Sequence, residues 1–232
     1  MVSVFERTEK KYIISEQQAK RLLALAENRL WQDRFFESTV ISLYFDTDDY
    51  RVIRSSAEKP VYKEKLRLRS YNTPDDDSTV FLELKKKYKR IVYKRREQMK
   101  LWEADRYING GEMPKDTQIM REIDHFIRSH TGLCPKVMIA YDRHAYKGDG
   151  GLRLTLDRRP RYRTDRLDLS LGSDGRLLLD ENLMIMEIKV DQSMPVWLAD
   201  ALDELNVFPT SFSKYGTAYK IMMNEKGDDL SA

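Results

Sequence analysis

Several strand-length segments of the chain alternate charged and apolar residues with a period of two, which is the spacing of a β-strand with two different faces. In KEKLRLR the cations share one face and two leucines lie on the other. The same alternation occurs in VFLELKKK, MIMEIKV and GLRLTLD, and Arg7, Glu9 and Lys11 share a face near the start of the chain. One such strand would be an ordinary solvated sheet face, but the repetition indicates a continuous charged surface.

The remaining patterns predict an α+β protein with many short strands. Ser15 and Gln18 form a capping signature ahead of apolar residues at helical spacing, which predicts a first helix over 16–29. Further helices are predicted over 101–108, 117–129, 196–205 and 213–223. Strands are predicted over 5–14, 39–45, 61–71, 79–87, 90–99, 135–146, 152–157, 165–169 and 183–190.

The element order predicts an antiparallel sheet closed into a barrel, with the helices packed outside it. The helices need an apolar surface, and only the leucine faces of the strands offer one, so the charged faces would turn toward the barrel axis. No repeat or linker divides the chain, so we expect one domain over 1–224 and a frayed tail over 225–232.

This arrangement accounts for a charge content that is high but balanced. Charged residues make up 34% of the chain, yet the net charge is only +3, which is unlike the large excess of many nucleic-acid coats. The single cysteine, Cys134, excludes an internal disulfide, and no apolar stretch is long enough for a membrane span. We therefore expect a soluble, cytoplasmic protein without a specific nucleic-acid partner.

A lumen lined by Lys and Arg predicts a polyanionic ligand, since stacked cations repel each other unless an anion lies between them. Glu9, Glu83 and Glu187 recur beside these cations. Carboxylates oppose a phosphate unless a cation intervenes, so they indicate Mg²⁺ or Mn²⁺ bound jointly by carboxylate and phosphate. Simple pairing of Glu9 and Glu83 with the lysines is an equally strong alternative.

Together these motifs resemble the triphosphate tunnel metalloenzymes of the CYTH-like superfamily, and most closely its VTC-type polyphosphate polymerase domain. The resemblance spans almost the whole chain. It rests on EKKY, SLYFDT, KLRLRSY, FLELKKK, YDRHAY, LRLTLD, MEIKV and SFSKYG.

The resemblance implies an eight-stranded tunnel that transfers the γ-phosphate of ATP to inorganic polyphosphate and releases ADP, with Mn²⁺ or Mg²⁺ as the metal. The catalytic positions that it implies are Lys11, Arg67, Arg69, Lys85, Arg143 and Glu187. The implied substrate-binding positions are Tyr141, Arg153, Ser213 and Lys214. Lys65 and Lys189, which lie on the charged faces of their strands, are further candidates for substrate binding. The implied metal ligand is Glu187, and Glu83 and Glu9 are further candidate ligands because they recur beside the cations.

One departure from the superfamily pattern bears on the chemistry. The wider superfamily begins Glu-x-Glu-x-Lys, whereas Arg7 stands in the first place here, which disfavours a two-metal triphosphatase. Two alternatives remain open: a triphosphatase of the same fold, and a non-catalytic module that binds polyphosphate or RNA. The expected partners are ATP and inorganic polyphosphate, and the resemblance also allows a membrane-protein partner that would place the chain at the inner face of a membrane.

Overall fold

The computed structural model of the protein describes residues 8–58, 60–89 and 91–229, so Arg7 and the start of the predicted strand 5–14 lie outside it. The described strands are β1 (Thr8–Ser15), β2 (Trp31–Asp46), β3 (Tyr62–Tyr71), β4 (Thr79–Tyr88), β5 (Ile91–Lys100), β6 (Cys134–Lys147), β7 (Arg153–Arg163), β8 (Arg176–Leu177) and β9 (Leu183–Val190). The described helices are α1 (Glu16–Leu25), α2 (Arg51–Ala57), α3 (Leu101–Ile108), α4 (Gln118–Ser129), α5 (Val196–Glu204) and α6 (Lys214–Asp229).

The strands form one nine-stranded sheet in the order β1-β9-β7-β6-β2-β3-β4-β5, with β8 paired to β7. The pairs β1–β9, β7–β9, β2–β3, β3–β4 and β4–β5 are antiparallel, which confirms the predicted α+β class.

The predicted closure into an eight-stranded barrel is wrong for the described residues, because no ladder among them joins β1 to β5 at the two ends of the order. A bridge from Thr210, whose N–H donates to the Lys11 carbonyl at 2.7 Å, takes a backbone group of β1 that a closing strand would need. The end strand β5 carries Lys94, Arg95 and Arg96, and such charges keep an edge strand from pairing.

Contacts along the chain define two compact units, each of which has its own core. The first unit comprises Met1–Ser38, Tyr141–Arg161 and Leu177–Ser213. The second comprises Thr39–Ala140, Tyr162–Arg176 and Lys214–Ala232.

In the first unit, α1 and α5 cover the apolar faces of β1, β7 and β9. Helix α1 begins with the predicted capping box: the Ser15 Oγ accepts from the Gln18 N–H at 3.1 Å, and the Gln18 side chain accepts from the Ser15 N–H at 2.9 Å. The core that results includes Leu22, Leu154, Met186, Ile188 and Leu198, all buried. The predicted apolar faces of β7 and β9 are therefore confirmed, and the charged faces of these strands are directed away from α1 and α5.

In the second unit, α3 and α4 pack on the leucine faces of β3 and β4. Leu66, Leu82 and Leu84 are fully buried there, together with Ile123 and Phe126 of α4. The three leucines alternate with Lys65, Arg67, Glu83 and Lys85 along β3 and β4, as the period of two predicted.

The observed elements differ from the predicted ones at several points. The predicted strand 165–169 is a bend followed by a short 3-10 helix, Leu169–Leu171. The buried Arg163 guanidinium holds this loop by donating to the carbonyl oxygens of Arg166, Asp168, Gly172 and Asp174.

No element was predicted over Arg51–Ala57, where the structure has helix α2. The carboxylate of Asp46 accepts from the backbone N–H groups of Val52 and Ile53 at 2.8 and 3.0 Å and so holds the first turn of this helix. Strand β2 begins at Trp31 rather than at residue 39, and helix α6 continues to Asp229, past the predicted end at 223.

Candidate functional site

The charged faces of the strands carry two separate clusters, one in each unit. We call the first the β1–β9 cluster; it consists of Glu9, Lys11, Arg143, Asp157, Glu187 and Lys189. We call the second the Glu83 cluster; it consists of Tyr44, Arg67, Arg69, Glu83, Lys94 and Arg96.

Strand register builds the β1–β9 cluster. Lys11 of β1 lies opposite Glu187 of β9, which lies opposite Thr155 of β7. One row further, Glu9 lies opposite Lys189. Charges of opposite sign therefore alternate both along and across the two strands.

Two ammonium groups link the two glutamates of this cluster. The Lys11 Nζ lies 3.7 Å from the Glu9 Oε1 and 3.5 Å from the Glu187 Oε1. The Lys189 Nζ lies 3.6 Å from the Glu9 Oε2 and 3.9 Å from the Glu187 Oε2. All four are long ion pairs, compared with about 2.7–2.9 Å for a charge-assisted hydrogen bond between nitrogen and oxygen.

Asp157 fixes the orientation of Arg143 in the same cluster. The Asp157 carboxylate is fully buried and accepts two hydrogen bonds from the guanidinium, at 2.6 and 2.8 Å. The guanidinium also lies 3.6 Å from the Glu187 carboxylate and over the ring of Tyr141, at 5.1 Å. A bidentate pair of this kind holds the planar group rigidly, which suits it to a directed contact with an anion.

The other predicted substrate positions of the first unit lie at different distances from this cluster. Arg153 lies opposite Lys189, but its guanidinium pairs with Asp33 at 2.6 Å and is largely exposed. The Lys11 Nζ donates to the Phe212 carbonyl at 3.3 Å, which places the segment leading to Ser213 against the cluster. Lys214, the next residue, begins helix α6 in the second unit.

A second row of side chains builds the Glu83 cluster across four adjacent strands. Tyr44 of β2 lies opposite Arg67 of β3, Arg67 opposite Glu83 of β4, and Glu83 opposite Arg96 of β5. Glu83 is therefore flanked by an arginine on each neighbouring strand.

Glu83 is a buried carboxylate that serves four cations. Its Oε2 accepts from the Arg67 Nε at 2.7 Å, and the Arg69 Nε lies 4.0 Å away. Its Oε1 accepts from the Arg96 Nε at 2.5 Å and contacts the Lys94 Nζ at 2.7 Å. The Glu83 side chain is only 1% exposed, so its negative charge interacts with these four cations rather than with solvent.

The surplus of cations perturbs the titration of this cluster. Burial alone would raise the pKa of Glu83, but Arg67, Arg69 and Lys94 together hold that pKa well below its usual range. Burial lowers the pKa of Lys94 to about 8, although Glu83 opposes the shift. Burial would also raise the pKa of Tyr44, yet the cations led by Arg67 lower it to about 7. The Tyr44 hydroxyl and the Arg67 guanidinium are 2.9 Å apart.

Three lysines continue the cationic face beside the Glu83 row. Lys65 of β3, Lys85 of β4 and Lys94 of β5 lie directly opposite one another. The Lys65 Nζ lies 5.9 Å from the ring centre of Tyr215, and this ring stacks on Tyr44 at 4.8 Å. Like charges placed opposite one another on neighbouring strands destabilise a sheet, so this row favours an anionic ligand.

The carboxylates of the two clusters differ in how well they suit a divalent cation. Among the described residues no group of three His, Cys, Asp or Glu side chains could hold a metal ion. Glu187 and Glu9 nevertheless fit Mg²⁺ or Mn²⁺, which are usually bound by one or two carboxylates and take their other ligands from phosphate and water. Glu83 fits a metal less well, because both of its oxygens bind cationic side chains at short distances.

Sequence reasoning missed four members of the two clusters: Tyr44, Lys94, Arg96 and Asp157. For Lys94 and Arg96 the signal was present, since they alternate along a predicted strand. The role of Asp157 depends on its distance from Arg143, and that of Tyr44 on its distance from Arg67, which no local pattern gives.

Of the described helices, none has the length and apolar character needed to cross a membrane.

Comparison with solved structures shows which fold this is. A protein assigned as an adenylate cyclase from Bacillus halodurans superposes with a TM-score of 0.55 and 15% identity, over 88% of this chain and 92% of that chain. A protein from Hippeastrum, assigned as an adenylyl cyclase and described as having a dominant triphosphatase activity, superposes with a TM-score of 0.53 and 16% identity, over 89% and 92%. The chain thus has the fold of the CYTH-like triphosphate tunnel proteins.

The sequence profile of the VTC domain matches residues 6–223. The chain therefore belongs to the VTC domain family, as the motifs predicted. No curated protein sequence matches the chain.

Proposed function

We propose that this VTC domain is a metal-dependent polyphosphate polymerase. A terminal oxygen of a polyphosphate chain attacks the γ-phosphorus of ATP, the bond from that phosphorus to the β-phosphate oxygen breaks, and ADP leaves. Phosphoryl transfer of this kind needs alignment and charge neutralisation, and it needs no nucleophile from the protein.

The observation that carries the proposal is the excess of cations around Glu83. Six cationic side chains lie near a single carboxylate on one face of β3, β4 and β5; they are Lys65, Arg67, Arg69, Lys85, Lys94 and Arg96. A polyanion with closely spaced phosphates would neutralise such a face, and arginine forks with lysine point charges suit phosphate oxygens. We assign phosphate binding to these residues and assign Glu83 to their positioning.

The β1–β9 cluster supports a metal-dependent reaction. Glu187, with Glu9, would hold Mg²⁺ or Mn²⁺, which supplies neutralisation of charge on the phosphate oxygens. Lys11 and Arg143 would contact phosphate oxygens, with Arg143 oriented by Asp157. Substrate contacts from Tyr141, Arg153, Lys189, Ser213 and Lys214 stay predictions from the sequence.

The acidic residues of this chain favour polyphosphate over water as the acceptor of the phosphoryl group. The third carboxylate of the β1–β9 cluster, Asp157, is bound by Arg143, and no group of three acidic side chains among the described residues could hold a metal ion. Arg7 also replaces the first glutamate of the superfamily pattern. A two-metal triphosphatase is therefore poorly served. A triphosphatase remains the second candidate, because the relative from Hippeastrum is described as having this activity. A membrane-protein partner and a cytoplasmic location stay predictions.

The test is incubation of the purified protein with ATP and Mn²⁺ or Mg²⁺, with and without a short polyphosphate primer, followed by gel and nucleotide analysis. A polymerase makes long polyphosphate chains, and the amount of phosphate added to these chains equals the amount of ADP released. Glu187→Gln and Arg69→Gln should abolish turnover with an unchanged circular dichroism spectrum. Glu64→Gln and Arg128→Gln, at positions outside both clusters, are the matched controls.

Other results would contradict either the polymerase activity or the roles assigned to its residues. Release of orthophosphate without chains would identify a triphosphatase. Binding of polyphosphate or RNA without turnover would identify a non-catalytic module. Full activity of Glu187→Gln or Arg69→Gln would contradict the roles assigned to those residues.

A further inference from the structure

A run of cations on the β4–β5 hairpin is only partly used by the proposed function. Residues 85–96 contain eight Lys or Arg residues and no Asp or Glu. Lys85, Lys94 and Arg96 belong to the phosphate-binding face. Lys87 lies on the same face but nearer the end of the hairpin, and Lys89 lies in its turn, so both are further from Glu83.

The same end of the hairpin exposes apolar and aromatic side chains. Tyr62 of β3, Tyr88 of β4 and Ile91 of β5 lie opposite one another in one row, and Tyr93 lies in the next row on the same face. All four are between 40% and 47% exposed, which is unusual for neighbouring large side chains. We call these four residues the hairpin-tip patch.

Cations border the patch, and the nearby acids are already paired. The Lys89 Nζ lies 5.3 Å from the ring centre of Tyr88. On the opposite face of the hairpin, Lys87 lies directly across from Lys63. The acidic neighbour Glu122 accepts ion pairs from Lys86 and from Arg95, each at 3.1 Å. The tip therefore presents tyrosine rings, one isoleucine and a net positive charge.

We propose that the hairpin-tip patch docks on the surface of a bilayer that contains anionic lipids. Tyrosine suits the headgroup region, since its ring is apolar and its hydroxyl is polar. Lysine side chains extend their charge to lipid phosphates while their methylene stems cover apolar surface. A nucleic acid would use the same cations and would stack its bases on the tyrosine rings, but it would leave the exposed Ile91 side chain without an apolar environment.

The proposal does not depend on the polymerase activity, so the two can fail separately. The full chain is sedimented with vesicles of phosphatidylcholine alone and with vesicles that also contain phosphatidylglycerol. The expected result is binding to the anionic vesicles only, with a loss of binding as salt is raised. ATP turnover in the absence of vesicles is measured on the same preparations.

Two pairs of substitutions test the two parts of the patch. Lys87→Gln with Lys89→Gln should weaken partition by about thirty-fold, from the usual contribution of each juxtamembrane cation. Tyr88→Ser with Ile91→Ser should weaken it by about ten-fold or more, through loss of buried apolar surface. Phe208→Ser with Lys20→Gln, which alter an exposed aromatic residue and an exposed lysine of the first unit, should leave it unchanged.

Retained binding by both tip variants would overturn the proposal, and so would equal binding to both kinds of vesicle. Absence of binding to anionic vesicles would overturn it as well. Capture of single-stranded RNA through Lys87 and Lys89, without vesicle binding, would assign the tip to nucleic acid instead.

Discussion

Replacement of Glu83 by glutamine tests the central feature of the Glu83 cluster with a minimal change of shape. The variant keeps the volume of the side chain and one acceptor oxygen, but it removes the charge that serves Arg67, Arg69, Lys94 and Arg96. The four cations would then repel one another around a neutral amide.

The size of the effect follows from the burial of the partners. Removal of one member of a buried ion pair usually costs about 3–5 kcal/mol. The side chains of Lys94 and Arg96 are 43% and 33% exposed, so water takes over part of their solvation. We therefore expect Glu83→Gln to lower the free energy of unfolding by about 3 kcal/mol, the lower end of that range.

The assay is urea denaturation at neutral pH, with Glu64→Gln as the control. Glu64 lies on the same pair of strands but on the opposite face, and it pairs with Lys86 at 3.7 Å. A single long pair of this kind contributes less than about 1 kcal/mol. Inorganic polyphosphate should stabilise Glu83→Gln more than it stabilises the wild type, because the variant has a higher affinity for polyanions.

The pH dependence supplies an independent check. The folded-state pKa of Glu83 is held below its usual value, so its contribution to stability is complete above the unfolded pKa of about 4.3 and is lost as pH falls toward the folded value. The stability difference between wild type and variant should therefore shrink in acid below about pH 4. A difference under about 1 kcal/mol at neutral pH, or one that grows in acid, would refute the role given to Glu83.

Four further changes test the rest of the two clusters. Tyr44 should ionise near pH 7 in ultraviolet difference spectra, apart from the other tyrosines, and Tyr44→Phe should remove that step. Because the folded-state pKa of Tyr44 is lowered, the stability that its ionisation contributes is complete above about pH 10 and is lost as pH falls through 7. Polyphosphate affinity should decline as pH rises through 8, where Lys94 loses its proton, and Lys94→Arg should abolish that decline in a binding titration. Asp157→Asn should lower kcat by about ten-fold or more with little change in the circular dichroism spectrum, since Arg143 loses its bidentate support. Chelation of divalent metal should stop turnover without lowering the melting temperature of the substrate-free protein, since the Glu187 and Glu9 carboxylates already lie beside lysines.

The faces of individual strands could be predicted from the sequence because side-chain alternation is a local property. Leu66 and Leu82 are buried and Arg67 and Glu83 lie on the other face, as the period of two requires. The capping box of α1 is also local, and it was predicted to the residue at Ser15. Features of this kind need no knowledge of which strands are neighbours.

Features that depend on distant partners could not be predicted. The start of α2 is set by Asp46, whose side chain also accepts from the Tyr215 hydroxyl at 2.7 Å, from far along the chain. The loop after β7 is folded around the buried Arg163 guanidinium. Barrel closure was expected from alternation and from family resemblance, but alternation specifies the faces of a sheet and leaves its ends undetermined.

The motif Glu-x-Lys shows how far a local pattern can determine chemistry. Glu83 and Glu187 both occur in it, on strands with the same alternation. Register then places Glu83 between two arginines, with contacts of 2.5–2.7 Å, whereas Glu187 lies between a lysine and a threonine and has ion pairs of 3.5–3.9 Å. The first carboxylate is therefore held by short contacts to cations, and the second has longer ion pairs. The same two residue types thus have different surroundings, because the side chains opposite them come from strands that only the fold makes neighbours.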